Sequence, residues 1–112
     1  MVIYKLLRAA EWTDFARNGR TPGSPVDRAD GYVHFSSRDQ LAGTLAKHFA
    51  GETGLMLLTL DADALGPELR WEPARDGALF PHLYRALHRS DIRAVTPLAD
   101  GPEGPILPGD LA

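Results

Sequence analysis

The sequence predicts an α+β domain: a small, largely antiparallel β-sheet with two α-helices packed on it. Two observations point to it. Apolar residues recur in the order strand, helix, strand, helix, then mostly strands, so the two periods are intermixed. The run Leu55-Met56-Leu57-Leu58-Thr59-Leu60 is continuously apolar, as a central strand covered on both faces would be. At 112 residues the chain has room for one core and hence one domain.

Val2 to Leu7 reads as the first strand. A helix over Ala9 to Arg17 follows, with Trp12, Phe15 and Ala16 at helical spacing on one stripe. Asn18-Gly19 stops it, since both residues tolerate the left-handed C-terminal position. Arg20 to Gly31, with two prolines and two glycines, reads as a long loop of the kind that often carries function. Asp30 to Ser37 is a short strand running into a helix. Alternation places Tyr32, His34 and Ser36 on one face and Val33 and Phe35 in the core. Ser37-Arg38-Asp39-Gln40 fits a capping box and opens a helix from Arg38 to about Phe49. Leu41, Leu45, His48 and Phe49 share its apolar face, which sets His48 on or beside the buried stripe.

After the apolar run, Asp61 to Pro67 is a turn or a single helical turn. Glu68 to Glu72 alternates, with Leu69 and Trp71 facing one way and Arg70 and Glu72 the other; Trp71 reads as core. Phe80-Pro81-His82-Leu83-Tyr84 is a short aromatic strand with Phe80, His82 and Tyr84 on one face. Pro81 predicts an edge or a strand start. Ile92 to Leu98 is the last strand. The tail, 100–112, is rich in proline and glycine, and Ile106 and Leu107 suggest partial docking. The helix joining the second and third strands allows one parallel pair.

The net charge is −3 and the pI about 5.7. No basic block stands out, which disfavours a broad nucleic-acid surface but leaves room for a pocket that takes a single nucleotide. Without cysteine there is no disulfide scaffold, thiolate metal site or cysteine nucleophile. No apolar run is long enough to span a bilayer, and no signal-peptide pattern opens the chain, so a cytoplasmic protein is the expectation.

Of the four histidines, His34, His48 and His82 invite chemistry, and His88 reads as exposed with no role assigned. His34 stands just before a helix N-terminus, where free N–H groups attract anions, and Ser36 and Ser37 add hydroxyls. With His82, Tyr84, Tyr32, His48 and Arg70 these residues suit a nucleotide-like or small anionic ligand. Glu72 either pairs with Arg70 or stabilises a developing cation. His34, His48, His82 and Glu72 are also of the right types for zinc or iron, yet no pair has a recognised ligand spacing. A histidine metal site and a non-enzymatic interaction domain stay open as alternatives. There is no serine-hydrolase elbow, dinucleotide fingerprint or phosphate-binding P-loop.

Taken together, Ile3-Tyr4-Lys5-Leu6, the tryptophan-bearing helix, Asp30-Gly31-Tyr32-Val33-His34-Phe35-Ser36 with Gln40, Leu69-Arg70-Trp71-Glu72 and Phe80-Pro81-His82-Leu83-Tyr84 resemble the bacterial domain-of-unknown-function family 952, from Ile3 to about Leu98. That family is remotely similar to the ADP-ribosyltransferase fold. The resemblance implies a small split, mostly antiparallel sheet with a cleft for an NAD-like dinucleotide. It implies that His34 holds a ribose hydroxyl and that Glu72 or His82 acts at a glycosidic bond. Two departures from those enzymes are visible: Phe35 stands where many of them have glycine, and their glutamate comes later in the chain. A third, from family 952 itself, is Arg85-Ala86 after Tyr84, where its members often continue with Gly-Pro.

Overall fold

The structure, a computed structural model, describes residues 1–111. Strand β1 (Val2–Arg8) leads directly into helix α1 (Ala9–Asn18), and β2 (Arg20–Thr21), α2 (Pro25–Asp30) and β3 (Val33–His34) follow. A short 3-10 turn over Arg38–Gln40 enters α3 (Leu41–His48). Then come β4 (Leu55–Asp61), β5 (Leu69–Pro73), β6 (Leu79–Leu83), β7 (Leu87–His88), β8 (Ile92–Pro97), β9 (Ala99–Gly101) and β10 (Gly104–Ile106).

The β-structure is split, and every described strand pair is antiparallel. One three-stranded sheet has the order β1-β4-β8 and the other β3-β6-β5; β2-β7 and β9-β10 are small ribbons. The two larger sheets are stitched at one point. Tyr4 and Ser36 exchange backbone hydrogen bonds of 2.8 and 2.9 Å. Beyond that stitch they part.

The central strand lies where its composition requires. Leu58 and Leu60 of β4 pack with Ile3, Leu7, Phe15, Val33 and Leu83. Leu55 and Leu57, on the opposite face, pack with Tyr4, Leu6, Leu41 and Leu45. The first sheet is therefore filled from both sides, by α1 and the second sheet on one and by α3 on the other. The parallel pair allowed by the sequence does not form, because the strands flanking α3 enter different sheets.

Several expectations are corrected. The segment before Gly31 is not a bare loop. Ser24 caps α2 by accepting from the Asp27 N–H, Pro25 occupies its first turn, and Gly31 closes it with φ +89°. Ala16 is exposed, so the α1 stripe narrows to Phe15 and half-buried Trp12. Trp71 is 37% exposed because β5 is an edge strand with no layer over that position. Pro81 sits in β6, the central strand of its sheet, rather than at an edge. Its carbonyl accepts from the Phe35 N–H at 3.0 Å, but it has no N–H to return, and the β3 ladder ends there. The tail folds back as the β9-β10 hairpin; Leu107 packs on the α3 side of the core and Ile106 stays exposed.

Candidate functional site

A cavity of about 360 Å³ opens where the two sheets part. Its walls come from β1, the segment after β3, β6, α2 and α3. The antiparallel register brings His34 opposite His82 across β3 and β6, and their rings lie 5.2 Å apart. Both side chains line the cavity, as do Tyr32, Ser36 and His48.

Asp27 organises the α2 side. It is 1% exposed, and its carboxylate accepts four hydrogen bonds. They come from Lys5 Nζ at 2.7 Å, the Ser24 N–H at 2.8 Å, the His34 N–H at 3.1 Å and His34 Nδ1 at 2.6 Å. Burial opposes ionisation of Asp27, but the bonds from His34 and Lys5 outweigh it and hold the carboxyl well below its ordinary value. Asp30, one helical turn along α2, places Oδ2 3.0 Å from His34 Nε2. Carboxylates only accept, so both contacts are hydrogen bonds when the ring carries two protons. Either way, both nitrogens of His34 are occupied.

His82 is 2% exposed and its Nδ1 lies 2.9 Å from Glu72 Oε1. The same oxygen accepts the Tyr84 hydroxyl at 2.6 Å. The bonds from Tyr84 and His82 lower the Glu72 pKa, and the bond to Glu72 raises that of Tyr84. Arg70 stacks over the Tyr84 ring at 5.0 Å rather than pairing with Glu72. Tyr32 lies in the middle, its ring 4.2 Å from His82, 4.6 Å from His34 and 5.2 Å from Tyr84. Burial and the nearby Asp30, Glu72 and Asp27 carboxylates raise its pKa.

Part of the lining is cationic. Lys47 and Arg75 both line the cavity, and among the described residues neither pairs with a carboxylate. Arg75 reaches across to α3, where its Nη2 donates to Thr44 Oγ1 at 3.3 Å, and its guanidinium lies over the Phe80 ring. Lys47 is three residues beyond Thr44 and so shares this side of the helix. Lys5 and Arg8 also face the cavity, but Asp27 neutralises the first and Glu52 the second. Burial, then Lys47 and Arg75, lower the pKa of His48.

The structure thus gathers Tyr32, His34, Ser36, His48 and His82 around one space. His48 is exposed at its rim rather than on the buried stripe, because the α3 stripe ends in Leu45 and half-buried Phe49. Glu72, Tyr84 and Arg70 stand behind His82 and do not line the cavity. Ser37 does not line the cavity; its N–H donates to Gln40 Oε1 at 3.0 Å, the backbone half of the capping pattern. Ser36 Oγ is bound to Thr44 Oγ1 at 2.8 Å. Among the described residues no three His, Asp or Glu side chains converge as metal ligands do. Sequence reasoning passed over Asp27, Lys5, Lys47 and Arg75. The Ser24-Pro25-Val26-Asp27 start of α2 was a usable signal for the first, and a lone lysine inside an apolar strand for the second. Nothing local marks Lys47 or Arg75, which meet only through the fold.

Fold and site define a class: an α+β domain with a histidine-bearing cleft between two antiparallel sheets. The chain belongs to the family described as Protein of unknown function (DUF952), which matches residues 6–95. It is similar to protein CC0527 from Caulobacter crescentus at 44% identity. The crystal structure of that protein superposes with a TM-score of 0.91, covering 95% of this chain and 94% of the other. Its solution NMR structure gives 0.83 at 44% identity over 93% and 90%. No curated protein matches the chain. No helix among the described residues is long and apolar enough to cross a membrane.

Proposed function

We propose that the cavity binds a small anionic ligand of nucleotide type. The observation that carries this reading is the pair of unneutralised cations, Lys47 and Arg75, lining the same space as the histidine and tyrosine rings. A phosphate or carboxylate would meet the guanidinium and ammonium, and a planar group would meet the rings. The volume, about 360 Å³, lies toward the lower end of small-molecule pockets. That favours a mononucleotide over a dinucleotide held wholly inside. The parting of two antiparallel sheets around the cleft supports the likeness to the ADP-ribosyltransferase fold. Glycosidic chemistry with Glu72 as the stabilising carboxylate has less support, since Glu72 lies behind His82.

Calorimetric titration with AMP and with NAD tests the reading. Saturable binding of AMP is expected, weakened by ~tenfold or more when Lys47 or Arg75 is replaced by alanine. Absence of saturable heat with either ligand at millimolar concentration would overturn it.

A further inference from the structure

The His82 ring is held at Nδ1 by Glu72 and carries no hydrogen bond at Nε2 among the described residues. Glu72 Oε1 only accepts, so the 2.9 Å contact requires the proton on Nδ1. Neutral His82 then has an unprotonated Nε2. That nitrogen makes no hydrogen bond, yet no buried polar side-chain atom among the described residues lacks a partner. Nε2 is therefore not sealed in protein. Since the residue as a whole is almost wholly buried and lines the cavity, this nitrogen opens there. Tyr32 covers the ring at 4.2 Å and limits its rotation. Tyr84, held under the Arg70 guanidinium, fixes the Glu72 oxygen. His34, by contrast, has carboxylates at both nitrogens.

We propose that His82 is the proton-transfer residue of the cavity, with Glu72 and Tyr84 as positioning residues, acting on an anionic ligand that carries a hydroxyl group. The inference rests on the anion-binding reading of the same space. In the step, the ligand's O–H bond breaks, its proton bonds to Nε2, and the electron pair stays on the oxygen. The ring becomes an imidazolium whose charge faces the Glu72 carboxylate. This is the arrangement in which a carboxylate orients a histidine base and stabilises its protonated form. The Lys47–Arg75 wall would hold the ligand's anionic group while the hydroxyl meets Nε2.

Two readouts on the full chain test it. Long-range proton–nitrogen NMR of the imidazoles reads the tautomer, and diethyl pyrocarbonate, which acylates unprotonated imidazole nitrogen, reads access. The expected result is the Nδ1–H tautomer at His82, acylation of His82 in the folded protein ahead of His34, and slowing of that acylation by AMP. Glu72→Ala should lose the tautomer bias, while Tyr84→Phe, a milder change, should keep it. An Nε2–H tautomer in the wild type would overturn the inference. So would a His82 that reacts only after unfolding. If AMP gives neither heat nor protection while tautomer and reactivity are as expected, the fault lies in the ligand reading and not in the His82–Glu72 pair.

Discussion

Replacing Asp27 by asparagine leaves Lys5 buried without its counter-charge and weakens the hold on His34. Removing one partner of a buried ion pair costs about 3–5 kcal/mol, so the urea midpoint of Asp27→Asn should fall sharply. The acid limb of stability carries the same signature. The pKa of Asp27 is depressed in the folded state, so its contribution is whole above the ordinary value of 3.8. As pH falls below 3.8, the unfolded chain takes up a proton that the native state refuses, and stability drops. Urea unfolding as a function of pH should therefore show a flatter acid limb for Asp27→Asn than for the wild type. His48 offers a second residue-scale prediction. Its pKa is lowered by burial and by Lys47 and Arg75, so phosphate bound against those cations should raise its NMR titration midpoint toward 6.5. An unmoved midpoint would place phosphate elsewhere.

Helix α2 shows how one element sets the site. Its N-cap, its first-turn proline and its third residue belong to a single local pattern, and that third residue is Asp27. Gly23 precedes the cap at φ +102°, and a Cβ there would stand 2.3 Å from Asp27 Oδ2. Gly23→Ala should cost about 1–3 kcal/mol in strain and displacement. It should also shift the His34 ring resonances, because the carboxylate that holds the ring must move. A stable variant with unchanged His34 shifts would contradict the tie between this element and the site. The element was missed in the sequence because two prolines and two glycines in a dozen residues outweighed a six-residue helix. The Ser37–Gln40 capping box was legible, because capping depends on residues three apart and on nothing distant.

At the scale of the whole molecule, the apolar run of β4 announced a strand filled from both faces, and the two core clusters meet on it. Leu58→Ala, at a fully buried position, should cost about 2–5 kcal/mol by thermal or chemical denaturation. The splitting of the sheet was not written in any one segment. It depends on β1 meeting Ser36 at one residue pair and then leaving it, which is a property of long-range packing. For the same reason the sequence pointed to His34 and His82 separately, by face and neighbourhood, but could not show that register sets them opposite each other. It also placed Trp71 in a core, because alternation reveals a face but not whether a layer covers it.

The central claim is that the space between the sheets binds an anion against Lys47 and Arg75, beside the histidine and tyrosine rings that line it. Its most direct test is a chemical-shift titration of the wild-type protein with AMP. The account predicts saturable shifts concentrated at Lys47, Arg75, His48, Tyr32 and His82, and their loss in a Lys47→Ala/Arg75→Ala double variant. Shifts that are absent, or that persist unchanged in the double variant, would contradict it.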